Sequence, residues 1–452
     1  MTMKFSVFKQ LFLAILILPL GISLSVAQTD SVKQVPTVWN LENSIDYAIT
    51  NNITVKQAVL DKDNSEINYT QAQNNWLPSL SGSASESLTR GTSIDPITSD
   101  FVSQQIYSTS LGLNASMTLY SGNKIRNQAK QYGLLLEQSD LYVTEAKNSI
   151  ILEVTQAYLQ ALYYKEGIEI AENNLKASEE QYEQTEALFD AGTVAAKDLA
   201  DIKSQYASDQ YSLVTARNSY AQQVLTLRQL LELDPEQEFE PDFPEIEDDI
   251  EVIIPDKITA YQNALDYLPE IKASQLSMSA AELDMNIAKA GYLPTLSLGA
   301  GLSTGYTSTQ EYTFTDQLDN NFNQRVSLSL SIPIFSKFQN KSNVQSAKIS
   351  MESANLDRIA AKKEVYRKIE NAYQSAISAQ GEMEAALVQM EAAQVSFELA
   401  QEQYEVGLLN TTDLLIDQNE YLTAQQKYVQ TKYTKILYYQ LLQFYQGEPI
   451  KL

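Results

Sequence analysis

The chain repeats itself. Residues 48–80 align without a gap with 264–296, at an offset of 216. Trp76-Leu77-Pro78-Ser79-Leu80 falls on Tyr292-Leu293-Pro294-Thr295-Leu296, and Val55-Lys56 on Ile271-Lys272. Residues 119–230 then align with 334–445 at an offset of 215. Ala157-Tyr158 meets Ala372-Tyr373, Gly192 meets Gly407, and Asp198-Leu199 meets Asp413-Leu414. The single change of offset lies between the blocks, where a loop absorbs it. A period this long exceeds the 20–50 residues of solenoid repeats. One structural unit has been duplicated, so whatever one half folds into, the other must fold into as well.

Residues 1–27 read as a secretory leader: Lys4 and Lys9 form the basic start, 11–20 the apolar stretch, and Ser25-Val26-Ala27 the small-residue cleavage site. The apolar stretch is short against the roughly 20 residues of a bilayer span. The leader carries no acid, so the remainder holds 30 basic and 57 acidic residues, net −27. Nucleic acid is a poor partner for such a charge. The chain has no Cys and no His. Disulfides, Ser–His and Cys–His catalysis and histidine metal sites are therefore excluded. The remaining carboxylates show no placed pair for acid–base chemistry.

Each half reads as a helix, two strands and two long helices. Residues 41–76 are helix-compatible up to Pro78, which disfavours helix in the residue before it. Strands are expected at 80–89, 110–120, 295–303 and 326–335. Leu111, Leu113, Ala115, Met117 and Leu119 alternate with Gly112, Asn114, Ser116 and Thr118. Val326, Leu328 and Leu330 alternate with Ser327, Ser329 and Ser331. Period-two alternation means one apolar and one polar face. A soluble sandwich would also alternate, but here the polar face is almost wholly Ser, Thr, Gly and Asn, which suits a water-filled lumen. Trp76, Tyr120, Tyr292 and Phe335 flank one end of the strands, and Phe101, Tyr107, Tyr306, Tyr312 and Phe314 lie toward the other. Aromatic girdles of this kind mark the two interfaces of a membrane barrel. The polar stretches 90–110 and 304–325 are expected as exterior loops.

The helices come next. About 122–189 lacks proline, and Ile150, Ile151, Val154, Tyr158, Leu159 and Leu162 make a stripe at helical spacing. A second helix is expected at about 195–232, and the second half repeats both at about 337–405 and 411–445. A helix of nearly 70 residues spans about 100 Å at ~1.5 Å per residue. That length belongs to coiled coils or helical barrels. A soluble coiled-coil rod accounts for the helices but leaves the strands unexplained. The segment 233–257 is acidic and broken by Pro235, Pro241, Pro244 and Pro255, which predicts a connector lying on the outside of the helices.

Hydrocarbon offers no water to an open strand edge, so a membrane sheet must close. Four strands per chain fall short of the eight of the smallest barrels. Copies must assemble around an axis. Three would give twelve strands and an aqueous pore; a dimer or a tetramer would close as well.

Several local patterns resemble the TolC-like outer-membrane efflux family. They are the aromatic-Leu-Pro turns before the first and third strands, the strand ends Leu119-Tyr120-Ser121-Gly122 and Ile334-Phe335-Ser336, and the helical turns. Those turns read Phe189-Asp190-Ala191-Gly192-Thr193, followed by Asp198-Leu199, and Tyr404-Glu405-Val406-Gly407-Leu408, followed by Asp413-Leu414. The resemblance covers nearly the whole chain after the leader. It implies a mainly α fold with a small β-barrel share: a homotrimer whose twelve-stranded outer-membrane barrel continues into a long periplasmic α-barrel. It also implies export of drugs or other small molecules with a periplasmic adaptor (a membrane fusion protein) and an inner-membrane pump, or alternatively protein secretion, with no enzymatic activity and no cofactor.

In this family the helical turns form the periplasmic entrance and touch the adaptor, which assigns that role to Gly192, Thr193, Val406, Gly407 and Leu408. Asp413 matches one of two ringed carboxylate positions at the entrance. The other is Ile416 here, and Asp417 is one residue off register. Tyr404 and Asp198 match a pair that latches the two hairpins, while an arginine of that network is replaced by Leu409. Thr411, Thr412 or Asp413 could alternatively serve as a plain helix N-cap.

Overall fold

The computed structural model describes residues 38–94, 101–244 and 254–450. The leader expected at 1–27 lies outside them, as do 95–100 and 245–253. The first half forms α1 (Leu41–Asn51), α2 (Ile53–Asn74), β1 (Ser79–Ile94), β2 (Phe101–Tyr120), α3 (Lys124–Asp190) and α4 (Ala196–Leu230). The second forms α5 (Lys257–Tyr267), α6 (Pro269–Ala290), β3 (Thr295–Thr307), α7 (Phe314–Asn320), β4 (Asn323–Ser331), α8 (Gln339–Glu405) and α9 (Thr411–Tyr445). Both ends of α1 and α2 recur in α5 and α6 at the first repeat offset, and both ends of α3 and α4 recur in α8 and α9 at the second.

The single helix expected over 41–76 is two. Asn52 interrupts it, because its side chain accepts the Thr54 N–H at 2.8 Å and donates to the Leu230 carbonyl at 3.0 Å. A short polar side chain bonding to backbone competes with the helix in this way. At the matching place in the second half, Leu268 precedes Pro269 and is extended (ψ 130), as the proline ring requires. Pro269 itself opens α6, where a missing N–H costs nothing.

The chain divides into two compact units. One holds Ile67–Gly133 and Ser279–Met351 and contains the sheet. Its strands lie in the order β1-β2-β3-β4, all antiparallel. Leu80, Ala115, Ala300 and Val326 form one row across the four strands, and Ser79, Ser116, Gly299 and Ser327 a row of the opposite parity. The alternation therefore gives one face that is apolar from the Leu80 row to Ala84 and Leu111 and is interrupted beyond by Glu86 opposite Thr109 and Arg90 opposite Gln105, and a second face made mainly of hydroxyls and glycines. A bulge between Thr118 and Tyr120 sets Tyr120 opposite Leu296. Leu119, expected on the apolar face, is the extra residue, and Tyr120 takes that face instead.

The strand bounds differ from expectation. β1 and β2 run on past the expected loop boundary, with Arg90 paired to Gln105 and Ile94 to Phe101. The polar composition of 90–110 hid β-favouring residues such as Thr92, Ile106 and Tyr107, and pairing satisfies their backbone groups. β4 ends at Ser331, short of 335, because Pro333 has no N–H for the ladder. The stretch 304–325 is not a bare loop. β3 continues to Thr307, and α7 folds against it: Gln317, only 1% exposed, accepts the Thr307 N–H at 2.8 Å and donates to the Thr307 and Tyr312 carbonyls. The Thr304 hydroxyl donates to the Leu318 carbonyl at 2.6 Å.

The other unit holds Val35–Glu66, Leu134–Met278 and Glu352–Leu452. Its main core joins α1, α3 and α4 through Tyr47, Ala48, Ile150, Val154, Tyr158, Leu227 and Leu231. Of the predicted α3 stripe, Ile151 is half-buried and the rest buried. The described part of the connector is fastened to these helices. The fully buried Tyr158 hydroxyl donates to the Asp242 carbonyl, and Phe243 packs on the Tyr158 ring at 5.1 Å. Arg228 donates to the carbonyls of Asp234, Pro235 and Gln237, each at 3.0 Å. Among the described residues no helix is long and apolar enough to cross a membrane.

Candidate functional site

The two helical hairpins, α3–α4 and α8–α9, turn by the same chemistry. At the end of α3, Gly192 adopts φ +74; its N–H reaches the Phe189 carbonyl at 2.8 Å, and the Thr193 N–H reaches Leu188 at 3.0 Å. At the end of α8, Gly407 adopts φ +78, with N–H bonds to Tyr404 at 3.0 Å and from Leu408 to Gln403 at 2.8 Å. This left-handed cap closes the orphan carbonyls of a helix end, and glycine adopts it without a Cβ penalty. The Thr193 hydroxyl adds a third bond, to Leu188 at 2.7 Å. The second turn offers apolar side chains instead: Val406 and Leu408 are 69% and 79% exposed.

Each helix leaving a turn carries an acid in its first turn. Asn410 is the N-cap of α9, rather than Thr411, Thr412 or Asp413. Its side chain accepts the Asp413 N–H at 2.9 Å and donates to the Asp413 carboxylate at 2.6 Å. Asp413 thus lies in the first turn, where the helix dipole favours a negative charge, and remains exposed. Asp198 occupies the same place in α4, accepting the Ala195 N–H at 3.3 Å.

The starts of the two outgoing helices are joined. The Thr411 hydroxyl, on a residue 3% exposed, donates to the Asp198 carboxylate at 3.0 Å. Tyr404, expected to make that link, is half-buried and makes no hydrogen bond to Asp198. Asp198 has turned to the α9 hydroxyl, a partner that the resemblance did not suggest. Ile416 is exposed and lines a groove of about 1080 Å³ between α4, α8 and α9, with Lys197, Asp201, Ser396, Asn419 and Glu420. Lys197 and Asp201 pair at 2.7 Å within it. Asp417 points to α8, where the Ser396 hydroxyl meets it at 3.3 Å. The structure therefore sets Asp413 and Ile416 one turn apart on exposed α9 surface and turns Asp417 aside.

Each hairpin also carries a stacked aromatic pair that sequence reasoning missed. Tyr182 stacks on Tyr206 at 5.7 Å, and Phe397 on Tyr421 at 5.9 Å. Tyr182 aligns with Phe397 and Tyr206 with Tyr421, so the repeat alignment held the signal. At the sheet, Trp76, Tyr120, Tyr292 and Phe335 are all exposed, beside the strand ends nearest the helices. Among the described residues no cluster of three or more acidic groups is placed to hold a metal ion.

The duplicated hairpins on a duplicated strand pair match a known protein family. The model of the outer membrane efflux protein family fits this chain twice, over residues 44–232 and 260–447. The chain belongs to the outer membrane efflux protein family. It is 26% identical to the outer membrane protein TolC of Escherichia coli (strain K12), covering 81% of this chain and 76% of that protein. It is 22% identical to the alkaline protease secretion protein AprF of Pseudomonas aeruginosa, over 68% and 63% of the two chains. Over 38% of its length it is 28% identical to the pyoverdine export outer membrane protein OpmQ of Pseudomonas putida, covering 36% of that protein. Among solved structures, CusC superposes with a TM-score of 0.78 at 18% identity, over 90% of this chain and 92% of that one. The open state of the Neisseria gonorrhoeae MtrE outer membrane channel gives 0.74 at 21% identity, over 91% and 89%. This outer membrane efflux protein is thus an export channel of the outer membrane and not an enzyme.

Proposed function

We propose that three copies of this chain pool their sheets into a twelve-stranded barrel, and that the channel is the exit duct of a tripartite system. One observation carries the reading. The sheet ends in two unpaired edges, β1 and β4, while its apolar face is continuous across all four strands. Lipid cannot satisfy such edges, so copies must. Apolar residues left bare at heptad spacing support the same assembly: Ile53, Leu60 and Ile67 on α2, and Val388 and Val395 on α8. Such stripes are the seams by which long helices pack on further helices.

In this reading the chain is two structural repeats, 28–232 and 258–452, joined by the connector 233–257. Gly192, Thr193, Val406, Gly407 and Leu408 meet a periplasmic adaptor, and an inner-membrane pump feeds drugs or other small toxic compounds into the duct. The bare Val406 and Leu408 side chains support the adaptor contact. Asp413 forms one acidic ring at the entrance, with Ile416 as an apolar constriction. The bond from Thr411 to Asp198 holds the hairpins together in place of a bond from Tyr404.

The test is twofold. Negative-stain images of the detergent-solubilised protein should show threefold symmetry and a long tube, whereas a monomer soluble without detergent ends the reading. A deletion strain should become sensitive to toxic small molecules. The similarity to AprF supports a second reading, a conduit for protein secretion. Loss of a secreted protein, with unchanged drug sensitivity, would select it.

A further inference from the structure

The polar face of the sheet is nearly uncharged. Among the described residues of that face, Arg325 on β4 is the one ionisable side chain. The register places it in a row with Ser81, Asn114 and Gly301. Gly301, its direct neighbour, offers no side chain. The Asn114 amide already lies over it, since a Cβ there would come within 3.1 Å of the Asn114 Oδ1. Arg325 is exposed and makes no ion pair among the described residues. Glu86, the nearest strand carboxylate in type, sits on the opposite face, where it accepts the Thr109 hydroxyl at 2.9 Å. A guanidinium stays charged at any working pH.

We propose that Arg325 is the charge-selecting residue of the barrel: in the assembled channel its copies ring the lumen with positive charge and favour small anionic solutes over cations. The inference rests on the reading of the sheet as one third of a closed barrel. Twelve strands at ~4.8 Å spacing and ~40° tilt put the backbone about 12 Å from the axis. An extended arginine reaches roughly half of that distance. Every point of the cross-section then lies within the ~10 Å Debye length of ~0.1 M salt. Three such charges change local ion concentrations on the order of fivefold. The surrounding hydroxyls and glycines supply no competing charge, so one residue sets the sign of a wall that is otherwise neutral, in a protein that is strongly acidic overall.

The purified full-length protein would be inserted in planar bilayers and its reversal potential read across a KCl gradient. Arg325→Ser, which gives the position the side chain of its β4 neighbours, should shift the anion-to-cation permeability ratio toward cations on the order of fivefold near ~0.1 M salt. The shift should shrink near ~1 M, where the Debye length is about 3 Å. Arg325→Lys should keep the wild-type ratio. An unchanged ratio in Arg325→Ser, with normal unitary conductance, overturns this assignment and leaves the channel reading intact. Absence of unitary conductance from the wild type removes both.

Discussion

Thr411→Val isolates the one hydrogen bond that joins the two hairpins where α4 and α9 begin. The substitution removes the hydroxyl at nearly constant volume from a side chain that is 3% exposed. Asp198 loses the donor at 3.0 Å and keeps only the Ala195 N–H at 3.3 Å. A hydrogen bond to a charged group contributes about 1.5–3 kcal/mol net. Asp198 is half-buried, so water replaces part of the loss and the lower figure, about 1.5 kcal/mol, applies. About 1.4 kcal/mol corresponds to a factor of ten in an equilibrium. If each hairpin pair opens alone, the open occupancy of the entrance should rise about tenfold. Three coupled bonds would multiply toward about a thousandfold. Single-channel recording reads this occupancy directly. Thr411→Ser retains the donor and should stay near wild type, whereas Asp198→Asn, which keeps one acceptor oxygen and no charge, should lose part of the bond energy. A double-mutant cycle with Asp198→Ala should show coupling of at least ~0.5 kcal/mol. Wild-type occupancy in Thr411→Val, or strict additivity in the cycle, would refute the reasoning.

Three further outcomes follow from packing. Tyr158→Phe deletes the hydroxyl bonded to the Asp242 carbonyl in a fully buried setting, where burial pushes the phenol well above its ordinary value; it should cost about 1–2 kcal/mol and speed proteolysis of the connector. Leu328→Arg puts a charge on the apolar face and should weaken the folded barrel by about 2–4 kcal/mol in urea titrations in micelles, whereas Ser329→Arg on the other face should cost little; equal costs would contradict the assigned faces. Asp209 is 4% exposed, and burial raises its carboxyl above 3.8 despite the Gln205 amide that donates to it at 3.1 Å. A raised folded value means that its contribution to stability is full below 3.8 and is lost as pH rises through the folded value. Asp209→Asn should therefore flatten that slope and be the more stable form at neutral pH, and parallel melting profiles would count against it.

What was readable in the chain was what local rules govern. The helix ends at Gly192 and Gly407 follow from an αL cap that one residue supplies. The two faces of the sheet follow from a pleat of period two, so Leu113 and Ser116 declare their sides without knowledge of any partner. The duplication carried each such reading to the other half. Asp413 was legible as a candidate for a helix start and Asp198 as one of a latching pair, but not what their carboxylates would hold. The choice of Thr411 over Tyr404 depends on how α4 and α9 approach each other, which is a matter of packing between segments that lie in different halves of the chain. The bulge that exchanges Leu119 for Tyr120 arises from pairing with β3, and the folding of α7 onto β3 arises from burying Gln317. The anchoring of the connector on Tyr158 and the stacked aromatic pairs are likewise contacts between distant segments. Periodicity and caps are properties of neighbouring residues and are written in order along the chain; register, stacking and the partner of a buried hydroxyl depend on distances that exist only once the chain has closed on itself.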